Sequence, residues 1–433
     1  MHSASKPART IWYRAAACRQ AAIVSAAFAC LAGVGALAQP AKTAAPDPAA
    51  SAKTKPWWES TGNPRGQWWL NHPNYQGAAA DEIWARVEIP RSPLLTPEES
   101  LRTLRLPPGF RAEIVAAEPL IVRPVHMQFD SAGRLWVVEM PGYMRDIDGS
   151  GEQEPSGRVV VLEDTKGDGR MDKATPFLEG LVMPRTLSFV PGGVLVVEPP
   201  RIWYVQDLNG DLVADKKTLL VEGYGEAGNP EHSANGLMRA IDNWMYSAKS
   251  AVRYGWHQGA LRAEPTLFRG QWGITQDDTG RLYYNYNPTP LHTEVVPAEY
   301  LIGPGGWDYS KQRNVVGRLP LSLALVEDKS VYPVRVTPLV TLGASDLRPD
   351  GTLKKFTSAC GPLIYRGDGL PELRGKALVC DPVGNMVSCF TLDPVDPARP
   401  AARVYPDHEF LASSDERFRP VFLETGPDGA LYV

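Results

Sequence analysis

Arg185-Thr186-Leu187-Ser188-Phe189-Val190, Val194-Leu195-Val196-Val197-Glu198, Arg201-Ile202-Trp203-Tyr204-Val205-Gln206 and Lys217-Thr218-Leu219-Leu220-Val221-Glu222 follow one another with only turns between them. Each is a short run rich in β-branched and aromatic residues, bounded by Pro, Gly, Asp or Asn, which is the pattern of a strand in an up-and-down antiparallel sheet. A second unit of the same kind precedes it: Pro124–Asp130, Leu135–Met140, Arg158–Glu163 and Thr175–Glu179. The second strand of the unit then recurs along the chain as Gly133-Arg134-Leu135-Trp136-Val137-Val138, Gly193-Val194-Leu195-Val196-Val197, Asp242-Asn243-Trp244-Met245-Tyr246, Gly280-Arg281-Leu282-Tyr283-Tyr284, Gly375-Lys376-Ala377-Leu378-Val379 and Gly429-Ala430-Leu431-Tyr432-Val433. An internal repeat at about 40–60 residues, each copy a four-strand unit, predicts a β-propeller. Six copies predict an all-β, six-bladed propeller over residues 110–433, with the C-terminal blade truncated because its run is the last of the sequence.

Composition agrees with many short strands. The 433 residues include 39 glycines and 40 prolines, and the net charge is only −4. That near balance gives no electrostatic footprint for nucleic acid. Arg9, Arg14 and Arg19, the apolar run Ala21–Leu37 and Ala36-Leu37-Ala38 before Gln39 have the layout of a secretory signal over residues 1–38. At about 17 residues the run is short for a membrane span. Export to the periplasm or the cell exterior is therefore expected, with membrane association left open. Removal of the leader would take Cys18 and Cys30 and leave Cys360, Cys380 and Cys389. A Cys360–Cys380 bridge with one free thiol and three buried thiols are both compatible with the strand pattern.

Residues 39–56 are rich in Ala, Pro, Lys and Thr and are expected to be a disordered linker. Residues 57–109 carry the pairs Trp57-Trp58 and Trp68-Trp69, and Thr96-Pro97-Glu98-Glu99 opens a short helix with a capping pattern. The segment is expected to pack on the propeller. Between Asn287 and Lys355 the repeat spacing stretches, which places an insertion with long loops over one face.

If the strands of each blade are lettered A to D from the tunnel outwards, all D-to-A and B-to-C connections lie on one face. All A-to-B and C-to-D turns lie on the other. On the first face fall Arg123, His126, Arg145, Arg185, His232, Asn235, Arg253, Arg269, Gln271, Asn285, Asp415, Arg417 and Arg419. Loops from every blade meet at that tunnel mouth, where ligands usually bind. Converging arginines suit a carboxylate-bearing ligand, since guanidinium groups grip carboxylates bidentately. His232, in Glu231-His232-Ser233-Ala234-Asn235-Gly236-Leu237, titrates in the range where it could take a proton from a hydroxyl. A hydrogen-bonded loop histidine is the alternative.

On the opposite face, Asp164, Asp168 and Asp172 in one turn and Asp207, Asn209, Asp211 and Asp215 in another repeat the oxygen spacing of a calcium loop. Lys166 stands at a ligand position of the first turn, and neither turn has a closing glutamate. Plain Asp/Gly turns are the alternative, and any ion there would be structural.

From about Arg91 to Val433 the chain resembles a bacterial family of exported "membrane-bound dehydrogenase" propellers. These are related to the soluble quinoprotein glucose/sorbosone dehydrogenases and often fused to HEAT repeats and a haem-binding cytochrome c domain. The resemblance is carried by Leu104-Arg105-Leu106-Pro107-Pro108-Gly109-Phe110, Leu162-Glu163-Asp164-Thr165, Asn229-Pro230-Glu231-His232-Ser233-Ala234-Asn235-Gly236-Leu237 and Asp242-Asn243-Trp244. Further matches are Arg269-Gly270-Gln271-Trp272-Gly273, Ile364-Tyr365-Arg366-Gly367-Asp368, Arg417-Phe418-Arg419-Pro420-Val421 and Gly426-Pro427-Asp428-Gly429-Ala430-Leu431-Tyr432.

The resemblance implies an exported dehydrogenase that oxidises a sugar or polyol and passes electrons to a cytochrome c, fused or separate, with haem c only in a domain beyond Val433. His232 would be the base for hydride transfer to pyrroloquinoline quinone. Arg253 lies where the resemblance expects an arginine near the cofactor, and the mouth residues Arg185, Arg269, Gln271, Asn235, Arg417 and Arg419 are expected to help hold it. Two other functions are compatible with the residues: a non-catalytic carbohydrate- or ligand-binding propeller, and a metal-dependent lactonase-type hydrolase, which would need Glu, Asn and Asp ligands converging on the tunnel.

Overall fold

The computed structural model of the protein describes residues 9–15, 87–146, 148–225, 230–297, 315–316, 319–320, 322–337 and 346–433. The leader apart from residues 9–15, the linker, the tryptophan pairs and much of the expected insertion lie outside the described residues.

The fold is an all-β propeller. Blade I runs Pro124–Phe129, Leu135–Glu139, Gly157–Glu163 and Lys173–Leu181 from the tunnel outwards, each strand antiparallel to the one before. Blade II is Thr186–Val190, Gly193–Glu198, Arg201–Gln206 and Lys216–Glu222. Blade III is Asn235–Arg239, Trp244–Ala248, Val252–His257 and Ala260–Pro265. Blade IV is Ile274–Gln276, Leu282–Tyr286, Thr289–Glu294 and Ser322–Ala324. Blade V is Cys360–Ile364, Ala377–Asp381, Met386–Thr391 and Leu411–Ser413, extended outwards by Leu104–Arg105.

The expected sixth blade is a correction: the propeller has five blades, not six. The last repeat supplies only Glu424–Thr425 and Leu431–Tyr432, two residues each. The rest of that sheet comes from Arg9–Ala15 and Phe110–Ala117, and Arg9–Ala15 lies parallel to both its neighbours. A blade alternates direction at every step, so this mixed sheet does not repeat the plan of the other five.

Two local devices explain why these residues fold this way. In four of the turns that precede a second strand, an aspartate caps backbone N–H groups and also accepts from an aromatic of that strand. Trp136 donates to Asp130 (2.9 Å), Tyr246 to Asp242 (2.7 Å), Tyr283 to Asp277 (3.0 Å) and Tyr432 to Asp428 (3.3 Å). At the far end of the second strand, buried carboxylates tie down the loop that enters the same blade. Glu139 accepts the Val122 N–H (2.8 Å), Glu198 the Val182 N–H (2.7 Å), and Asp381 the Ser358 hydroxyl (2.6 Å) and Gly384 N–H (2.9 Å). Buried backbone donors need such partners, because a loop crossing the packed ring has no ladder to join.

Between the sheets lie separate apolar layers, such as Trp136, Val138, Val161, Phe177, Leu187 and Val196 between blades I and II. The helix Pro97–Arg102 forms with a complete capping box between Thr96 and Glu99, as its sequence predicts. Gly361, at φ +51, lets the inner strand of blade V approach the Val421 carbonyl where a Cβ would collide. Among the described residues no helix is long and apolar enough to cross a membrane.

Candidate functional site

The mouth is built from the loops that enter and turn within blades I to IV. His232 ends a single 3-10 turn, Pro230–His232, in the connection from blade II to blade III. Its ring is exposed overall, while Nδ1 lies 3.2 Å from Gln271 Nε2. The same Gln271 nitrogen donates to the Glu231 carbonyl at 2.7 Å. Because Gln271 is thereby fixed as a donor, it donates to Nδ1, and the proton of the neutral imidazole sits on the outward Nε2.

Partial burial lowers the pKa of His232, and the Lys249 ammonium lowers it further against the opposing charge of Glu231. The imidazole is therefore neutral at pH 7. Lys249 comes from the turn after the second strand of blade III, at φ +55. Arg123, Met144, Met183 and Asn385, all in loops of this face, share that left-handed backbone. Non-glycine residues held there mark positions that the surroundings over-determine, which often occur at functional sites.

Glu231 is itself gripped from across the mouth, where Tyr143, in the long loop of blade I, donates its hydroxyl to the Glu231 carboxylate. Burial and that carboxylate both raise the Tyr143 pKa, so the phenol keeps its proton. Arg185 donates to the Pro230 and Met183 carbonyls. Its pKa is lowered to about 10 by burial, which leaves it charged. The turn that carries His232 is thus fixed by Arg185 below, Gln271 on one side and Tyr143 on the other. Beside it in the chain, the buried Ser233 hydroxyl has no hydrogen-bond partner among the described residues.

The structure places the other sequence-derived residues as follows. Asn235 spans blades III and IV, donating to the Gln271 carbonyl (3.0 Å) and accepting the Gly273 N–H (2.8 Å). Arg269 is buried against Glu294, with further bonds to the Thr266 hydroxyl (2.6 Å) and the Leu267 carbonyl (3.1 Å). Arg253 pairs with Glu264 (2.9 Å), donates to the Tyr246 hydroxyl (3.1 Å) and stacks on Trp244. Arg417 holds the Ser92 and Pro93 carbonyls (2.8 and 3.1 Å) and so anchors the segment before the helix. Arg419 is exposed on the same face. His232, Gln271, Asn235 and Arg185 are therefore brought together, whereas Arg253, Arg269 and Arg417 are directed at protein oxygens elsewhere. Lys249, Tyr143 and Glu231 were not singled out from sequence. The face rule would have found Lys249, since it occupies the turn that follows a second strand.

A carboxylate or carbonyl of a quinone bound at this mouth would meet Lys249 and the exposed His232 ring, because Arg185, Arg253, Arg269 and Arg417 are engaged by protein oxygens. In the two aspartate turns the carboxylates are engaged by the turns' own donors. Asp164 already accepts the N–H groups of Lys166, Gly167, Asp168 and Gly169, and Asp172 takes Thr165 and Lys166. Asp207 accepts from Asn209, Gly210 and Leu212, Asp215 from Leu208, and Asp211 from Val213 and Asn209. These are filled Asx-type turns, with Asp168 capping the Arg170 N–H in the same way. Among the described residues no group of three or more His, Cys, Asp or Glu is placed to hold a metal ion.

The family model described as a domain of unknown function, DUF7133, matches residues 96–433. The chain belongs to that family. No curated protein matches the DUF7133 chain. Among solved structures, it is similar to the PQQ domain of a pyranose dehydrogenase from Coprinopsis cinerea, at 13% identity over 79% of this chain and 94% of that one, with a TM-score of 0.43. A putative oxidoreductase (glucose dehydrogenase) from Thermus thermophilus is similar at 15% identity over 72% and 90% of the two chains, with a TM-score of 0.40. A putative 6-phosphogluconolactonase from Bacteroides uniformis is similar at 10% identity over 71% and 76%, with a TM-score of 0.36.

Proposed function

We propose that this DUF7133 propeller is an oxidoreductase of the quinoprotein kind, acting outside the cytoplasm on a hydroxyl of a sugar or polyol and passing electrons to a cytochrome c. The observation that carries it is His232: a neutral, solvent-reaching imidazole on a turn fixed from three sides at the tunnel mouth, next to the Lys249 cation. Pyrroloquinoline quinone bound there would supply the hydride acceptor. His232 would receive the hydroxyl proton, and Lys249 would balance negative charge on the ligand. To accept at Nε2 the imidazole must first hold its proton on Nδ1, which requires Gln271 to release that nitrogen. Gln271 is thus the residue that sets the tautomer.

One observation favours a second function, a carbohydrate-binding mouth without catalysis. With Gln271 donating to Nδ1, His232 presents an N–H donor rather than a lone pair. The two are separated by titrating the full chain with pyrroloquinoline quinone by absorbance and following dye reduction with a panel of aldoses and polyols. His232→Asn keeps an N–H donor and removes the base; His232→Ala removes both. Turnover abolished in both variants supports the oxidoreductase. No quinone binding by the folded wild-type chain, together with sugar binding retained in His232→Asn and lost in His232→Ala, overturns it in favour of the binding module.

A further inference from the structure

Cys360 opens the inner strand of blade V and Cys380 lies in its second strand, and the two are direct register partners in the antiparallel pair. Both belong to the same apolar layer between blade V and the mixed sheet, so their side chains leave the blade on the same side. Both are free thiols and fully enclosed, Cys360 at 7% and Cys380 at 0% relative exposure. Facing residues of an antiparallel pair stand about 4.5–5.5 Å apart at Cα, inside the roughly 4.4–6.8 Å that disulfides span. Cys389 shares the layer but faces Leu378, one strand further out, and is not a register partner of either.

We propose that Cys360 and Cys380 are a disulfide-forming pair that bridges the first two strands of blade V. The co-reactant is a small or protein disulfide. One cysteine thiolate attacks a sulfur of that disulfide, forms a mixed disulfide and releases a thiolate. The second cysteine, as thiolate, then displaces the remaining leaving group. Two protein thiols are oxidised to one S–S bond, two protons are lost, and the reagent disulfide is reduced to two thiols. The bond forms while the chain folds, because in the finished layer burial holds both thiols in their unreactive protonated form. In the thiol form, Cys360 Sγ lies 3.8 Å from the Pro420 carbonyl, in the loop that leads from blade V into the mixed sheet. Bridging to Cys380 turns that sulfur along the blade, so the oxidised form fastens the tunnel end of blade V by a covalent link in place of a weak contact.

The test uses the full chain with Cys18→Ser and Cys30→Ser, which leaves Cys360, Cys380 and Cys389 as its cysteines, refolded in a glutathione redox buffer. The protein is unfolded and alkylated with iodoacetamide, then reduced and alkylated with a second reagent of different mass, and the peptides are mapped. The expected result is the first label on Cys389 and the second on Cys360 and Cys380. Melting should occur about 5 °C higher than for the reduced protein, from the roughly 15–20-residue loop closed. Cys389→Ser should keep both the labelling and the gain. First-label alkylation of all three, or a bridge that includes Cys389, overturns the proposal. Equal melting of a bridged and a reduced sample would overturn the fastening role. Cys360→Ser with Cys380→Ser, which keeps both sites small, should melt like the reduced protein in either buffer.

Discussion

Replacing Arg269 by Met removes the cation from a side chain that is only 1% exposed and takes its ion-pair partner from Glu294, a carboxylate 5% exposed. Breaking a buried pair from one side costs about 3–5 kcal/mol. Arg269 also donates to the Thr266 hydroxyl and the Leu267 carbonyl, which fix the loop entering blade IV. Those bonds place the loss toward the upper end of that range, since each is worth about 1 kcal/mol. At about 2 °C per kcal/mol for a domain of this size, melting should fall by roughly 8–10 °C. Arg269→Met with Glu294→Leu removes both charges and should melt above the single variant, because the buried carboxylate that lost its arginine is gone as well. The assay is thermal unfolding by circular dichroism without ligand. A single variant that melts within about 2 °C of the parent, or a double variant less stable than the single, would refute a structural ion pair. An arginine kept only to grip a ligand would leave ligand-free stability untouched.

Lys249→Met removes a positive charge that now opposes protonation of His232. The histidine pKa should rise, and the acid limb of the turnover or ligand response, which requires neutral imidazole, should move to higher pH. Histidine NMR titration checks it, and an unmoved or lowered pKa would contradict the placement of Lys249. Glu424 is pushed up to about 7 by burial, from an ordinary value of 4.5. A raised carboxyl contributes stability that is full below about 4.5 and is lost as pH rises through about 7. Glu424→Gln should therefore raise melting by a few degrees at pH 8 and leave it unchanged at pH 4.5, and equal melting of the two proteins at pH 8 would remove the basis for the shift.

Blades I and II could be read from sequence almost strand for strand, because each strand is a compact apolar run and each turn announces itself with Asp, Asn, Gly or Pro. The capped helix at Pro97–Arg102 was legible for the same reason: all its signals lie within four residues. The sixth blade was not. The run at Gly429–Val433 looks like its predecessors, but a blade also needs outer partners. Here those partners are Phe110–Ala117 and a parallel Arg9–Ala15, hundreds of residues away. At the mouth, the face rule brought His232, Gln271, Asn235 and Arg185 together, since it depends only on strand order. Where a guanidinium points is not a local property. Glu294 and Glu264 claim Arg269 and Arg253 through packing between neighbouring strands. The aspartate turns show the same limit at shorter range, because one spacing of oxygens serves either a cation or the turn's own N–H groups.

The aspartate that receives an aromatic of the next strand has a consequence for how the ring comes into being. Asp130 and Trp136 are six residues apart, as are Asp277 and Tyr283, and Asp242 and Tyr246 are four apart. Contacts between near neighbours are reached early and at small entropic cost, so nuclei can arise independently in several blades. The junction that brings Phe110–Ala117 into one sheet with Leu431–Tyr432 has no such shortcut. It must wait for the chain between them to become short in space, which makes closure of the circle the late event in assembly.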